Sequence, residues 1–95
     1  MTVTLSGAAT YTPDPADGNL QFYINGGAHT LAPPSAADDY TIVIQITNNG
    51  SAGAVTTSGY TKVTGDAFTT TSGHDFLCFI TKLNGFTHLH VQALQ

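Results

Sequence analysis

The sequence predicts an all-β chain, a small antiparallel β-sandwich or barrel in a single domain. Three observations carry that expectation. Apolar residues recur with period two in stretches rich in β-branched and aromatic side chains. Asn-Gly pairs and prolines punctuate the chain at short intervals. No stretch keeps a helical apolar stripe over the roughly eleven residues that a helix reading needs; the nearest, "SAADD", is one turn at most.

Taken in order, residues 1–19 read as an amino-terminal arm or edge segment and residues 20–95 as the β-domain. "VTLS" is a weak strand candidate. "DPADGN" (14–19) is a loop, because Pro13 and Pro15 exclude helix. Its Asp14, Asp17 and Asn19 around Gly18 partly echo a calcium loop. Ile24 stands where the closing acidic ligand would be, so an Asp-Gly turn with φ set by Pro15 accounts for the stretch. In "NLQFYIN" (19–25), Leu20, Phe22 and Ile24 alternate with Gln21 and Tyr23, as in a half-buried strand. "HTL" is a weaker strand candidate, and "APPSAADD" (32–39) is a loop holding Pro33 and Pro34.

In "YTIVIQIT" (40–47), Tyr40, Ile42, Ile44 and Ile46 share one face. "GYTKV" and "AFTT" are weak strand candidates. "DFLCFITK" (75–82) is apolar on both faces, with Phe76, Cys78 and Ile80 on one and Leu77 and Phe79 on the other. Such a strand is expected to be covered on both. "FTHLHVQAL" (86–94) ends the series. The Asn-Gly pairs at 25–26, 49–50 and 84–85 are expected to make tight turns between antiparallel strands. No internal repeat and no domain boundary is evident.

Composition narrows function. The chain has 95 residues, and only 8% are charged, against roughly 25% in ordinary soluble domains. Glu, Arg and Trp are absent, and Lys62 and Lys82 oppose six Asp for a net charge of −4. Two lysines cannot neutralise a run of phosphates, so nucleic acid is not an expected partner. No apolar run approaches the roughly 18–20 residues of a membrane-spanning helix, and the first residues lack the basic start and apolar run of a secretory signal. The single Cys78 forms no internal disulfide. A surface of hydroxyls and amides repels neighbours little, which suits an assembly component.

Catalytic signatures are missing. There is no G-x-S-x-G elbow, and the neighbours His74–Asp75 and Asp38–Asp39 point apart if extended. Tyr11, Tyr23, Tyr40 and Tyr60 are candidates to stack on sugars, or else to sit half-buried at strand ends. The pair His88 and His90 depends on the hairpin register. A two-residue Asn84-Gly85 turn places Thr81 opposite His88 and Phe79 opposite His90, while a three-residue loop sets His88 opposite Ile80 and His90 opposite Cys78. In both, the histidines share a face with apolar residues of the neighbouring strand. Leu77, Phe79, His88, His90 and Gln92 are therefore the interface candidates. His88, His90 and Cys78 are weak metal candidates that lack a fourth ligand, with His29 and His74 distant in sequence. No metal or cofactor is expected.

From about His29 onward, the order of features resembles a β-module of tailed-bacteriophage virion structural proteins. The matching residues are Leu31-Ala32-Pro33, Gly59-Tyr60, Thr70-Thr71, Gly73, Asp75, Leu77, Phe79 and Asn84-Gly85. The chain lacks the tryptophan or phenylalanine-glycine pair often found near "Gy". The resemblance implies a virion structural role. The expectation is a capsid decoration (cement) protein, a homotrimer made in the host cytoplasm that binds the major capsid protein on the outer capsid surface. The alternative is a receptor-binding or base module of a head spike or tail fibre contacting host glycans.

Overall fold

The computed structural model describes residues 3–5, 7, 9–35 and 37–95. Among them, nine strands make two sheets around one core. In chain order they are β1 (Val3–Leu5), β2 (Thr10–Tyr11), β3 (Leu20–Asn25), β4 (His29–Leu31), β5 (Tyr40–Asn48), β6 (Val55–Thr57), β7 (Lys62–Gly65), β8 (Asp75–Leu83) and β9 (Phe86–Ala93). The large sheet runs β1-β3-β5-β8-β9-β7, and the small sheet runs β2-β4-β6. The all-β, two-sheet, single-domain expectation holds.

Strand direction is mixed rather than antiparallel throughout. Only β5–β8 and β8–β9 are antiparallel; β1–β3–β5, β2–β4–β6 and β7–β9 are parallel. The chain passes from large sheet to small sheet three times, as β1→β2, β3→β4 and β5→β6, and stacks those passes as coils of a short solenoid. Asn25-Gly26 and Asn49-Gly50 sit at the corners of those coils, not in hairpins. Period-two patterning specifies a strand but carries no information about the direction of its partner. Only Asn84-Gly85 closes a hairpin. Its φ values of 52° and 81° are the left-handed pair that a two-residue turn between twisted strands requires.

The stack is an internal repeat that the sequence hid. Leu5, Asn25 and Asn48 occupy equivalent places, as do Thr10, Thr30 and Thr56. Five positions separate Leu5 from Thr10 and Asn25 from Thr30, but eight separate Asn48 from Thr56, so the third corner breaks the period. "GYTKV" contributes only from Lys62, and "AFTT" forms no strand. β1 and β2 of the 1–19 segment lie at the edges of the two sheets.

Buried polar groups fix which face of each strand turns inward. The Tyr23 hydroxyl and His29 Nε2 are hydrogen-bonded at 2.8 Å, and the His29 Nδ1–H donates to the Gly27 carbonyl at 2.9 Å. Asn25 Nδ2 donates to Asn48 Oδ1 (3.1 Å) and the Gly53 carbonyl (2.9 Å), so two asparagines stack on successive coils. The corner at Gly53 runs so close to the backbone of Ala28 that a Cβ there would collide with it. With Tyr23 and Asn25 turned inward, Leu20, Phe22 and Ile24 must turn outward, because successive side chains alternate.

The remaining core is Leu31 of the small sheet against Ile42, Ile44, Ile46, Phe76, Cys78, Ile80, Leu89 and Val91 of the large sheet. Beyond β6 the small sheet stops, and Tyr60 and Phe68 roof the inner face of β8 and β9 instead. Phe68 meets Phe76 edge-on, with ring centroids 5.2 Å apart.

Candidate interaction surface on the outer face of the large sheet

Pairing assembles the outward residues of the large sheet into rows. Leu20, Val43, Phe79, His90 and Thr64 form one row across five strands. Phe22, Gln45, Leu77 and Gln92 form the next, followed by Ile24, Thr47 and Asp75. On the other side run Thr41, Thr81, His88 and Lys62, and then the hairpin tip pair Leu83 and Phe86. The small sheet packs on the opposite face, so among the described residues no second sheet covers these side chains. Leu20 is 80% exposed, Leu83 63% and Phe86 62%, while Phe22, Ile24, Val43, Leu77 and Phe79 are half-buried. Leu20, Phe22, Val43, Leu77 and Phe79 thus lie side by side on the outer face, and the Thr41–Thr81–His88–Lys62 row separates them from the tip pair Leu83 and Phe86.

The two-residue turn selects the first of the two hairpin registers. Thr81 pairs with His88, Phe79 with His90 and Leu77 with Gln92. All five interface candidates (Leu77, Phe79, His88, His90 and Gln92) therefore share the outer face. Cys78 pairs with Val91 on the inner face, fully buried. The combination of His88, His90 and Cys78 in one metal site is thereby overturned, because the sheet lies between the thiol and the imidazoles. Burial pushes the Cys78 thiol up to about 12, so it stays protonated at neutral pH.

Thr64 organises the histidines. Its hydroxyl lies 2.7 Å from His88 Nε2 and 2.9 Å from His90 Nδ1. A hydroxyl has one proton to give, so at least one of these ring nitrogens donates to it. Phe79 lies beside His90, with ring centroids 6.2 Å apart. The other histidines are elsewhere: His29 is in the core with Tyr23, and His74 Nδ1 contacts Thr69 Oγ1 at 2.9 Å. Asp75 accepts from the Thr47 hydroxyl at 2.6 Å, so His74 and Asp75 serve different neighbours. Among the described residues, no group of three or more His, Cys, Asp or Glu converges on a metal position.

The Asp14–Asn19 loop is a 3₁₀ turn over Pro15–Asp17, capped by Asp14 Oδ1 accepting from Ala16 N at 2.9 Å. The tyrosines turn toward the chain's interior. Tyr23 is fully buried, and Tyr11, Tyr40 and Tyr60 pack against the core. Tyr11 donates to Gln21 Oε1 at 2.7 Å and Tyr40 to the Pro34 carbonyl at 3.4 Å.

Sequence reading missed Leu20, Phe22, Ile24, Val43, Leu83 and Phe86 as members of this surface. The signal was the conflict inside "NLQFYIN": a tyrosine and an asparagine alternate with three aliphatic or aromatic residues, and only one set can face inward. No protein-family model, no curated protein and no solved structure matches the chain.

Proposed function

We propose that the protein is a structural component of a tailed-phage particle, a capsid decoration (cement) protein. In this reading it docks the outer face of its large sheet onto the major capsid protein lattice as a homotrimer. The observation that carries the reading is the apolar row Leu20–Val43–Phe79 with its neighbours Phe22 and Leu77, set on a rigid sheet opposite the core. Burying that face against a shell releases its hydration water and contributes affinity in proportion to the apolar area covered. Binding to assembled shells and not to free subunits stabilises the shell by mass action. The sparse charge and the phage-module resemblance support the same reading. The tyrosines offered for glycan contact pack against the core, which favours docking by the sheet face over sugar stacking by those four rings.

The test is co-sedimentation of the purified chain with empty capsids, with its position in intact particles read by electron microscopy. The expected outcome is saturable binding at hundreds of copies on the outer head surface. A few copies at a tail or spike, or no binding to shells, would overturn the proposal.

A further inference from the structure

We propose that His88 and His90 form a bidentate site for one divalent transition-metal ion, Cu²⁺ bound most tightly. The two residues lie two positions apart on β9, so alternation puts both imidazoles on the outer face. Their rings sit 6.3 Å apart, centroid to centroid. His88 Nε2 and His90 Nδ1 converge on one point, the Thr64 hydroxyl oxygen, at 2.7 and 2.9 Å. Two ring nitrogens aimed at a common point are placed as the donors of a chelate are. At least one carries the proton it donates to Thr64, so binding a cation moves that proton to the ring's other nitrogen or to solvent and turns both lone pairs on the ion.

Metal–imidazole bonds are shorter, at about 2.0–2.1 Å for zinc, so the ion takes the hydroxyl's place and Thr64 turns about χ1. Imidazole suits copper, nickel and zinc, and copper binds such nitrogen sites most strongly. No third protein ligand joins them among the described residues. Cys78 is behind the sheet, so water fills the remaining positions. Lys62, paired with His88 across the ladder, opposes the ion's charge but is exposed and free to swing into solvent. This inference goes beyond the docking proposal and does not depend on it.

The experiment titrates tag-free protein with Cu²⁺ by calorimetry, alongside His88→Gln, His90→Gln and Thr64→Val. The substitutions lie on an open face, and far-UV circular dichroism checks that each variant is folded. The expected result is one ion per chain. Either histidine substitution alone should weaken binding at least about tenfold, the loss that even outer-shell changes cause at metal sites. Thr64→Val, which removes the competing hydroxyl, should keep it. Two independent weak sites removed one at a time, binding indifferent to both histidine substitutions, or the absence of binding would each overturn the inference. The isolated chain is measured, so failure here is distinguishable from failure to bind capsids.

Discussion

Asn48 joins three parts of the fold through one side chain. Its Nδ2 donates to the Thr69 carbonyl at 2.8 Å and the Thr71 carbonyl at 3.0 Å, while its Oδ1 accepts from Asn25. It thereby ties the second coil, the third coil and the loop that roofs β8 together. Asn48→Ala leaves the half-buried Thr69 carbonyl without this donor, while exposed Thr71 can turn to water and Asn25 keeps Gly53. The expected loss is about 1–3 kcal/mol, read as a lower urea midpoint at constant slope. Titration gives a second expectation. Burial raises the Cys78 thiol from 9.0 to about 12, and it raises the Tyr23 and Tyr60 phenols above their usual 10.0. These groups ionise earlier in the unfolded chain than in the folded one. Their contribution is therefore fully present below pH 9 and is lost as pH rises toward and past 12. Urea midpoints should fall as pH rises from about 9 toward about 12, and Cys78→Ala should flatten the first part of the fall.

At the scale of elements, the coil stack and the hairpin reached the page by different routes. The β8–β9 hairpin was readable because its signals are local, two alternating runs and one Asn-Gly, but its register stayed open between two turns until the φ values of Asn84 and Gly85 chose the shorter. The coils were not readable. Their pairing partners lie 20 residues apart between Val3 and Tyr23 but 23 apart between Tyr23 and Ile46, and the equivalent positions share few identities. Asn25-Gly26 resembles a hairpin signal, yet its asparagine points inward and the chain turns a corner. The close approach of Gly53 to Ala28 is the tightest point of this stack. Gly53→Ala should push the third corner off the second and cost about 2 kcal/mol or more, the range of overpacked sites. Thermal unfolding checks this, with Gly50→Ala as the neighbouring control where a Cβ meets open space.

For the whole molecule, the inward and outward faces of the large sheet can be separated by substitution. Leu77→Asp with Phe79→Asp changes only outward residues, so the core of Ile42, Ile44, Phe76 and Leu89 should remain packed and the variant folded by far-UV circular dichroism, with a lowered unfolding midpoint because both sites are half-buried. Capsid binding in the co-sedimentation assay should be abolished, since two charges would then have to be buried without partners. Of this surface, the sequence disclosed Leu77, Phe79, His88, His90 and Gln92 on β8 and β9, because "DFLCFITK" is apolar on both faces, and not the tip pair Leu83 and Phe86. It concealed the part on β3 and β5, because Tyr23 and Asn25 outrank Leu20 and Phe22 for the interior only once their buried partners are known. One last consequence belongs to strand direction. β1 and β7, the two borders of the large sheet, run the same way. The sheet therefore has a heading, like an arrow, and its two borders are different surfaces. Copies joined border to border would all circulate in one sense about an axis, as a ring requires, whereas a two-fold pair would have to set one border against itself.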